Sequence, residues 1–155
     1  MALITGQLPS RIGAYDNATT LGSDQPTYAH YLRAQGYQTV LAGKMHFVGE
    51  QLHGYEKRLT ADIYPADFGW HVNWDTADER LEWYHNRSSI EQAGECVRSN
   101  QLDFDMEVMF KSEQFLYDHV RDGPNKRPFA LTVSLTHPHD PYTIHQPYWD
   151  MYKVS

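Results

Sequence analysis

Apolar residues gather into two short runs, Gln38 to Ala42 and Phe129 to Leu135, and each follows a segment of helical character. Neither run alternates strictly between polar and apolar, as is expected of strands covered on both faces. Pro26 opens a predicted helix that reaches about Gln35, with Ser23 or Asp24 near its cap and Gly36 as its stop. Tyr28, Tyr31, Leu32 and Ala34 give that helix an apolar side. A longer helix is predicted over Leu102 to Val120. Met106, Met109, Phe110, Leu116 and Val120 recur along it at helical spacing, so they are predicted to face the core, as is Tyr28 in the first helix. Asp103 and Asp105 fall near its start, where the helix dipole favours them, and Gly123-Pro124 ends it. Met1 to Gly6 reads as the last turn of a helix closed by glycine. The order helix–strand, insertion, helix–strand predicts an α/β fold with parallel strands.

Between the two units, Val48 to Asn100 shows no clean period of either 2 or 3.6. Three of the four tryptophans lie there, and short helices are predicted near Ala77–Trp83 and Ser89–Val97. Long ordered insertions of this kind usually serve function. The polar stretch Gln7 to Gln25 reads as a connection, Asn125 to Arg127 as a solvated turn, and the chain from His137 onward as ordered loop.

Composition narrows the function. At 155 residues the chain can build one core, and a net charge of −7 excludes a nucleic-acid binder held by phosphate neutralisation. The single cysteine, Cys96, excludes a disulfide framework and fits a reducing, cytoplasmic compartment. No stretch approaches the roughly 18–20 apolar residues of a membrane helix, so no membrane partner is expected.

The candidate chemistry sits directly after the two strands. Gly43-Lys44-Met45-His46-Phe47 follows the first, and Thr136-His137-Pro138-His139-Asp140-Pro141 follows the second. Ligands of open α/β sheets bind outside the carboxyl ends of the strands, so the two turns are expected to face one pocket. A lysine and up to three histidines there suit a tetrahedral oxyanion such as sulfate or phosphate. The plainer reading is a solvated lysine and loop histidines. A His137/His139 metal pair is weak, since the two are i and i+2 with no third partner nearby.

The segments TGQLPSRIGAYDN, YLRAQGYQTVLAGKMHF and RPFALTVSLTHPHDPY resemble the sulfatase family of the alkaline phosphatase-like superfamily. Leu3-Ile4-Thr5-Gly6 is similar to the LTG-type end of its signature, Gly43-Lys44-Met45-His46 to its G-K-x-H turn, and Pro138-His139-Asp140-Pro141 to its P-H-x-P turn. HFVGEQLHGYEKRLTADIYPADFGW and WYHN resemble the choline-sulfatase branch in particular. The resemblance covers nearly the whole chain and implies part of an α/β/α sandwich with a mainly parallel sheet.

The resemblance also implies the site. Lys44, His46 and His139 are expected to be catalytic: Lys44 on a sulfate oxygen and the hydrated aldehyde, His46 on the formylglycine hydroxyl, and His139 as a donor to the sulfate or the leaving oxygen. Trp70 is expected as a cation–π wall for a quaternary ammonium, with Asn17 and His85 lining the same substrate pocket. Their plainer reading is packing within the insertion. The family's cofactors are a divalent cation (Ca2+, Mg2+ or Mn2+) and formylglycine. The family's C-x-P-S-R, whose cysteine becomes formylglycine, has no counterpart here, since its cysteine would fall before Met1 and Cys96-Val97-Arg98-Ser99 lacks the proline. The family's two metal-binding pairs are missing as well. Residues 1–155 are therefore expected to be a partial sulfatase domain, without the nucleophile/metal segment or the later metal segment, holding no metal ligand and inactive alone.

The expected activity of the full-length form is hydrolysis of choline-O-sulfate to choline and sulfate, and a homo-oligomeric form is compatible with the resemblance. Alternatives are a non-catalytic anion- or choline-binding fragment, and another sulfatase or phosphonate monoester hydrolase.

Overall fold

The computed structural model describes residues 1–64, 73–79, 87–124 and 126–152. Ten elements run along them: α1 (Ala2–Thr5), α2 (Tyr28–Ala34), β1 (Gln38–Gly43), β2 (Lys57–Arg58), α3 (Ser88–Glu91), β3 (Gly94–Glu95), α4 (Asn100–Arg121), β4 (Phe129–Ser134), β5 (Thr143–Ile144) and α5 (Gln146–Asp150). Strands β2, β1 and β4 form one parallel sheet in that order, and β3 pairs with β5 in a second, two-stranded parallel sheet.

The two apolar runs of the sequence are β1 and β4, paired in register from Gln38↔Phe129 to Gly43↔Ser134. Every residue of β1 after Gln38 is buried, because helices cover it from both sides and strands flank it. Alternation along the strand splits its side chains between two cores. Leu41 joins Ile4, Leu21, Ala29, Phe47 and Tyr55 in the core beneath α1 and α2. On that face Tyr28 and Tyr55 share a hydroxyl contact, and both reach Thr132 Oγ1 at 2.8 and 3.0 Å. The opposite face carries Val40 and Ala42 of β1 and Phe129 of β4. There Phe129 packs edge-to-face with Phe115 and His119 of α4, with ring centroids at 5.3 and 4.6 Å.

Several expectations are corrected. Helix α2 begins two residues after Pro26, and its cap is Thr27 rather than Ser23 or Asp24. Thr27 N donates to His30 Nδ1 at 3.0 Å in a capping box, and Thr27 Oγ1 also donates to His53 O at 2.6 Å. The buried side of α2 is carried by Ala29, while Tyr31 and Ala34 face outward.

Helix α4 presents a different face to the sheet from the one its hydropathy indicates. Its buried residues are Gln101, Val108, Ser112, Phe115 and His119. Met106, Met109, Phe110, Leu116 and Val120 are exposed, Met106 and Val120 by 65% and 69%. The sheet-facing stripe accommodates polar residues through local contacts: Gln101 Nε2 donates to Asp140 O, Ser112 Oγ donates to Val108 O at 2.7 Å, and the His119 ring packs edge-to-face with Phe129.

The insertion contributes β2 to the sheet, which its lack of periodicity had hidden. It also holds a 3-10 turn at Trp74–Thr76, and the helix predicted near Ser89–Val97 is the shorter α3; residues 80–83 of the helix predicted near Ala77–Trp83 lie outside the described residues. The tail after His137 contains β5 and α5 rather than loop alone. Arg127, read as part of a solvated turn, forks onto Glu56 at 2.8 and 3.1 Å and donates to Tyr37 O and Gly36 O, so it ties the start of β4 to the start of β1.

Candidate active site

Both strands end at the same side of the sheet, and the chain turns sharply after β1. Gly43 has φ +106°, and an added Cβ would lie 1.9 Å from Ser134 O on β4. Only glycine permits this approach, which lets Lys44 N donate to Ser134 O at 2.9 Å and keeps the next residues above the sheet edge. His46 then adopts φ 58°, a left-handed conformation costly for a side chain with a Cβ and sustained by its surroundings.

Those surroundings come from the insertion. The Asp62 carboxylate accepts from Met45 N at 2.8 Å, His46 N at 2.9 Å and Arg58 Nη2 at 3.0 Å. Arg58 also donates to Thr60 O and Gly43 O at 3.0 and 3.3 Å. The pair is buried, with only 2% of the Asp62 side chain and 12% of the Arg58 side chain exposed. Thr60 Oγ1 accepts from Gly43 N at 2.9 Å, and the following Phe47 is buried against the His53 ring. The Gly43–Phe47 turn is thus clamped along its length.

Lys44, His46, His139 and Asn17 line one cleft of about 480 Å3, together with Asp16 and Met45. Tyr64 stands between the two turns: Lys44 Nζ lies 5.4 Å from its ring centroid, and its ring lies 5.7 Å from that of His139. The sequence carried no signal for Asp62, Arg58 or Tyr64, since each works through a fold-dependent partner; a local composition scan sees only a charged, aromatic insertion. Trp70 and His85 lie outside the described residues.

Burial holds the His46 imidazole below the ordinary histidine range, and the Lys44 charge adds to the effect; Asp62, and a hydrogen bond involving the Tyr64 backbone, oppose it, with a smaller push from His139 in the same direction as Lys44. A neutral His46 near pH 7 can accept a proton. His139 Nδ1 lies 2.9 Å from Asp140 O and 2.7 Å from Asp140 Oδ1, both acceptors, so that nitrogen carries the hydrogen and Nε2 is left for a ligand. The cleft therefore offers a fixed positive charge, a proton acceptor and a second imidazole. An ammonium among two imidazoles suits an anion and repels a divalent cation, and no group of three or more His, Cys, Asp or Glu suited to a metal converges among the described residues. The described residues around this cleft therefore do not fit the family's cation.

A family model described as Sulfatase matches residues 1–155. The chain is 53% identical over 156 residues to a choline-sulfatase of Rhizobium meliloti, an alignment covering 98% of this chain and 30% of that protein. It is 40% identical over 126 residues to an N-acetylglucosamine-6-O-sulfatase of Bacteroides thetaiotaomicron, covering 80% of this chain and 21% of that protein. With an ulvan-active sulfatase of Formosa agariphila the identity is 24% over 160 residues, with 97% and 28% covered. The chain spans less than a third of the length of these curated relatives.

Proposed function

The chain belongs to the sulfatase family, and we propose that the whole enzyme hydrolyses choline-O-sulfate to choline and sulfate, with Lys44, His46 and His139 handling the sulfate group. The observation that supports this most directly is the convergence of those three side chains in one cleft beyond β1 and β4. The similarity to a choline-sulfatase supports the choice of alcohol. Residues 1–155 act as one part of a sulfatase domain. In the family, formylglycine supplies the nucleophile and a divalent cation offsets charge on the sulfuryl group.

The roles of this chain's own residues follow from their chemistry. Lys44 Nζ binds a sulfate oxygen and offsets the charge that grows there in the transition state. Neutral His46 takes up a proton, and His139, in the form with hydrogen on both ring nitrogens, keeps Nδ1 on Asp140 and donates from Nε2 to the sulfate or to the departing alcohol oxygen. Asn17 lines the substrate side of the same cleft, and Trp70 and His85 complete the choline pocket. Among the described residues no helix is long and apolar enough to cross a membrane.

The test is a hybrid in which residues 1–155 replace the matching segment of the Rhizobium meliloti choline-sulfatase. The hybrid is expected to turn over choline sulfate, and a folded hybrid without turnover of any sulfate ester overturns the reading. Trp70→Ala in it is expected to cost roughly 1–2 kcal/mol toward choline sulfate, the size of a desolvated cation–π contact. A neutral aryl sulfate, lacking the ammonium, should be nearly unaffected. Equal losses on both substrates would assign Trp70 to packing.

The pH profile of the hybrid tests His46. Since its proton affinity is depressed, the acid limb of kcat/KM is expected below the ordinary histidine value of about 6.5. The activity is present above that limb and lost as pH falls through it. Lys44→Gln removes a positive neighbour and should move the limb to higher pH, while the level of activity drops. A limb that stays in place in Lys44→Gln would show that His46 does not set it.

A further inference from the structure

Resting on the reading of His139 as a sulfate-side donor, we propose that Asp105 and His137 form a positioning pair that hangs the His139 turn from helix α4. Neither residue lines the cleft, which corrects the expectation that up to three histidines face it, and the family resemblance implies a role for neither.

The Asp105 carboxylate receives three donors from the start of that turn: Thr136 N at 2.6 Å, His137 N at 3.0 Å and His137 Nδ1 at 2.7 Å. Thr136 passes the constraint on, because its carbonyl accepts from His139 N at 3.0 Å. Two successive hydrogen bonds through one residue therefore connect a helix side chain to the backbone of His139. The other ring nitrogen of His137 lies 3.1 Å from Thr143 O, so the ring is a strut across the loop from α4 to β5. One turn earlier on α4, Gln101 donates to Asp140 O, and so grips the residue after His139. Gln101 and Asp105 are i and i+4 and lie on one side of the helix. The anchor is well shielded: Thr136 and Gln101 are buried, and the side chains of His137 and Asp105 are 18% and 12% exposed.

Burial alone would raise the Asp105 carboxyl, but the N–H groups of Thr136 and His137 and the His137 ring outweigh it and hold it below the usual carboxylate range. The carboxylate form is the one that accepts all three donors. An asparagine in its place has one acceptor oxygen and turns an NH2 group toward N–H donors. The hydrogen bonds explain why an acid on the sheet-facing side of α4 is tolerated: it has a ligand-like set of donors supplied by the loop. His139 itself is close to half exposed; its ring hydrogen-bonds to the adjacent Asp140 and lies beside the Tyr64 ring, so its position depends largely on the backbone that carries it.

The experiment is a double-mutant cycle in the hybrid enzyme, with choline sulfate as substrate. Asp105→Asn is expected to lower kcat/KM by ~10- to 10²-fold, the scale of misplacing a reacting group by up to about 1 Å. His139→Ala should lower it at least as far. In the His139→Ala background Asp105→Asn should then add less than about twofold, because the group it positions is gone. His137→Ala removes the strut while leaving both backbone donors on Asp105, and should show the same pattern at smaller size; it serves also if Asp105→Asn does not fold. Full additivity with His139→Ala, or an unchanged rate in Asp105→Asn, overturns the positioning role while leaving His139 in place. An unchanged rate in His139→Ala overturns both readings.

Discussion

Lys44→Ala in the hybrid enzyme is expected to lower kcat/KM by at least ~10²-fold, on the scale of removing one oxyanion donor. Lys44 is placed by the backbone: its N–H is bonded to Ser134 O, and Gly43 before it admits no other residue. That fixes where its side chain leaves the sheet edge, and its ammonium lies 5.4 Å from the Tyr64 ring centroid. The loss should be equal for choline sulfate and a neutral aryl sulfate, since both present the same sulfate. Kinetics of the two substrates side by side check this. A loss confined to choline sulfate would place Lys44 on the alcohol side and remove it from the sulfate site.

Asp62→Ala is expected to destabilise by roughly 3–5 kcal/mol, the range for breaking a buried ion pair from one side. The substitution leaves Arg58 without its carboxylate and strips the acceptor from Met45 N and His46 N at once. His46 then loses the carboxylate that holds its N–H at a positive φ. The readout is the denaturant midpoint of the hybrid together with its activity. Both should fall, whereas Lys44→Ala should lower activity with the midpoint nearly unchanged. An Asp62→Ala hybrid that unfolds at the parent midpoint and keeps its rate would mean that the turn holds itself.

The two strands were legible as short apolar runs, but only β1 is covered on both faces as such a run implies; β4, at the edge of the described sheet, is half-buried and leaves Val133 exposed, a correction to the expectation for Phe129–Leu135. The helix stops at Gly6 and Gly36 were legible because each glycine adopts a positive φ that the local chain requires. The face of α4 was not legible. Hydropathy selects Met106, Met109, Phe110, Leu116 and Val120, yet the side packed on the sheet carries Gln101, Asp105, Ser112 and His119. A helix can bury polar groups when the neighbouring elements supply partners, and those partners lie thirty or more residues away: Thr136 and His137 for Asp105, Asp140 for Gln101.

The candidate site divides along the same line. The sequence by itself determined the α/β class, the two strands, and the turns bearing Lys44, His46 and His139, because strand and turn signals are local and a parallel sheet collects ligands at one end. Only the tertiary structure decided that Tyr64 stands between Lys44 and His139, and that Asp62 with Arg58 braces one turn while Asp105 with His137 braces the other. Those contacts join residues distant in sequence, and a charged side chain signals its presence along a chain but not the partner that folding brings to it.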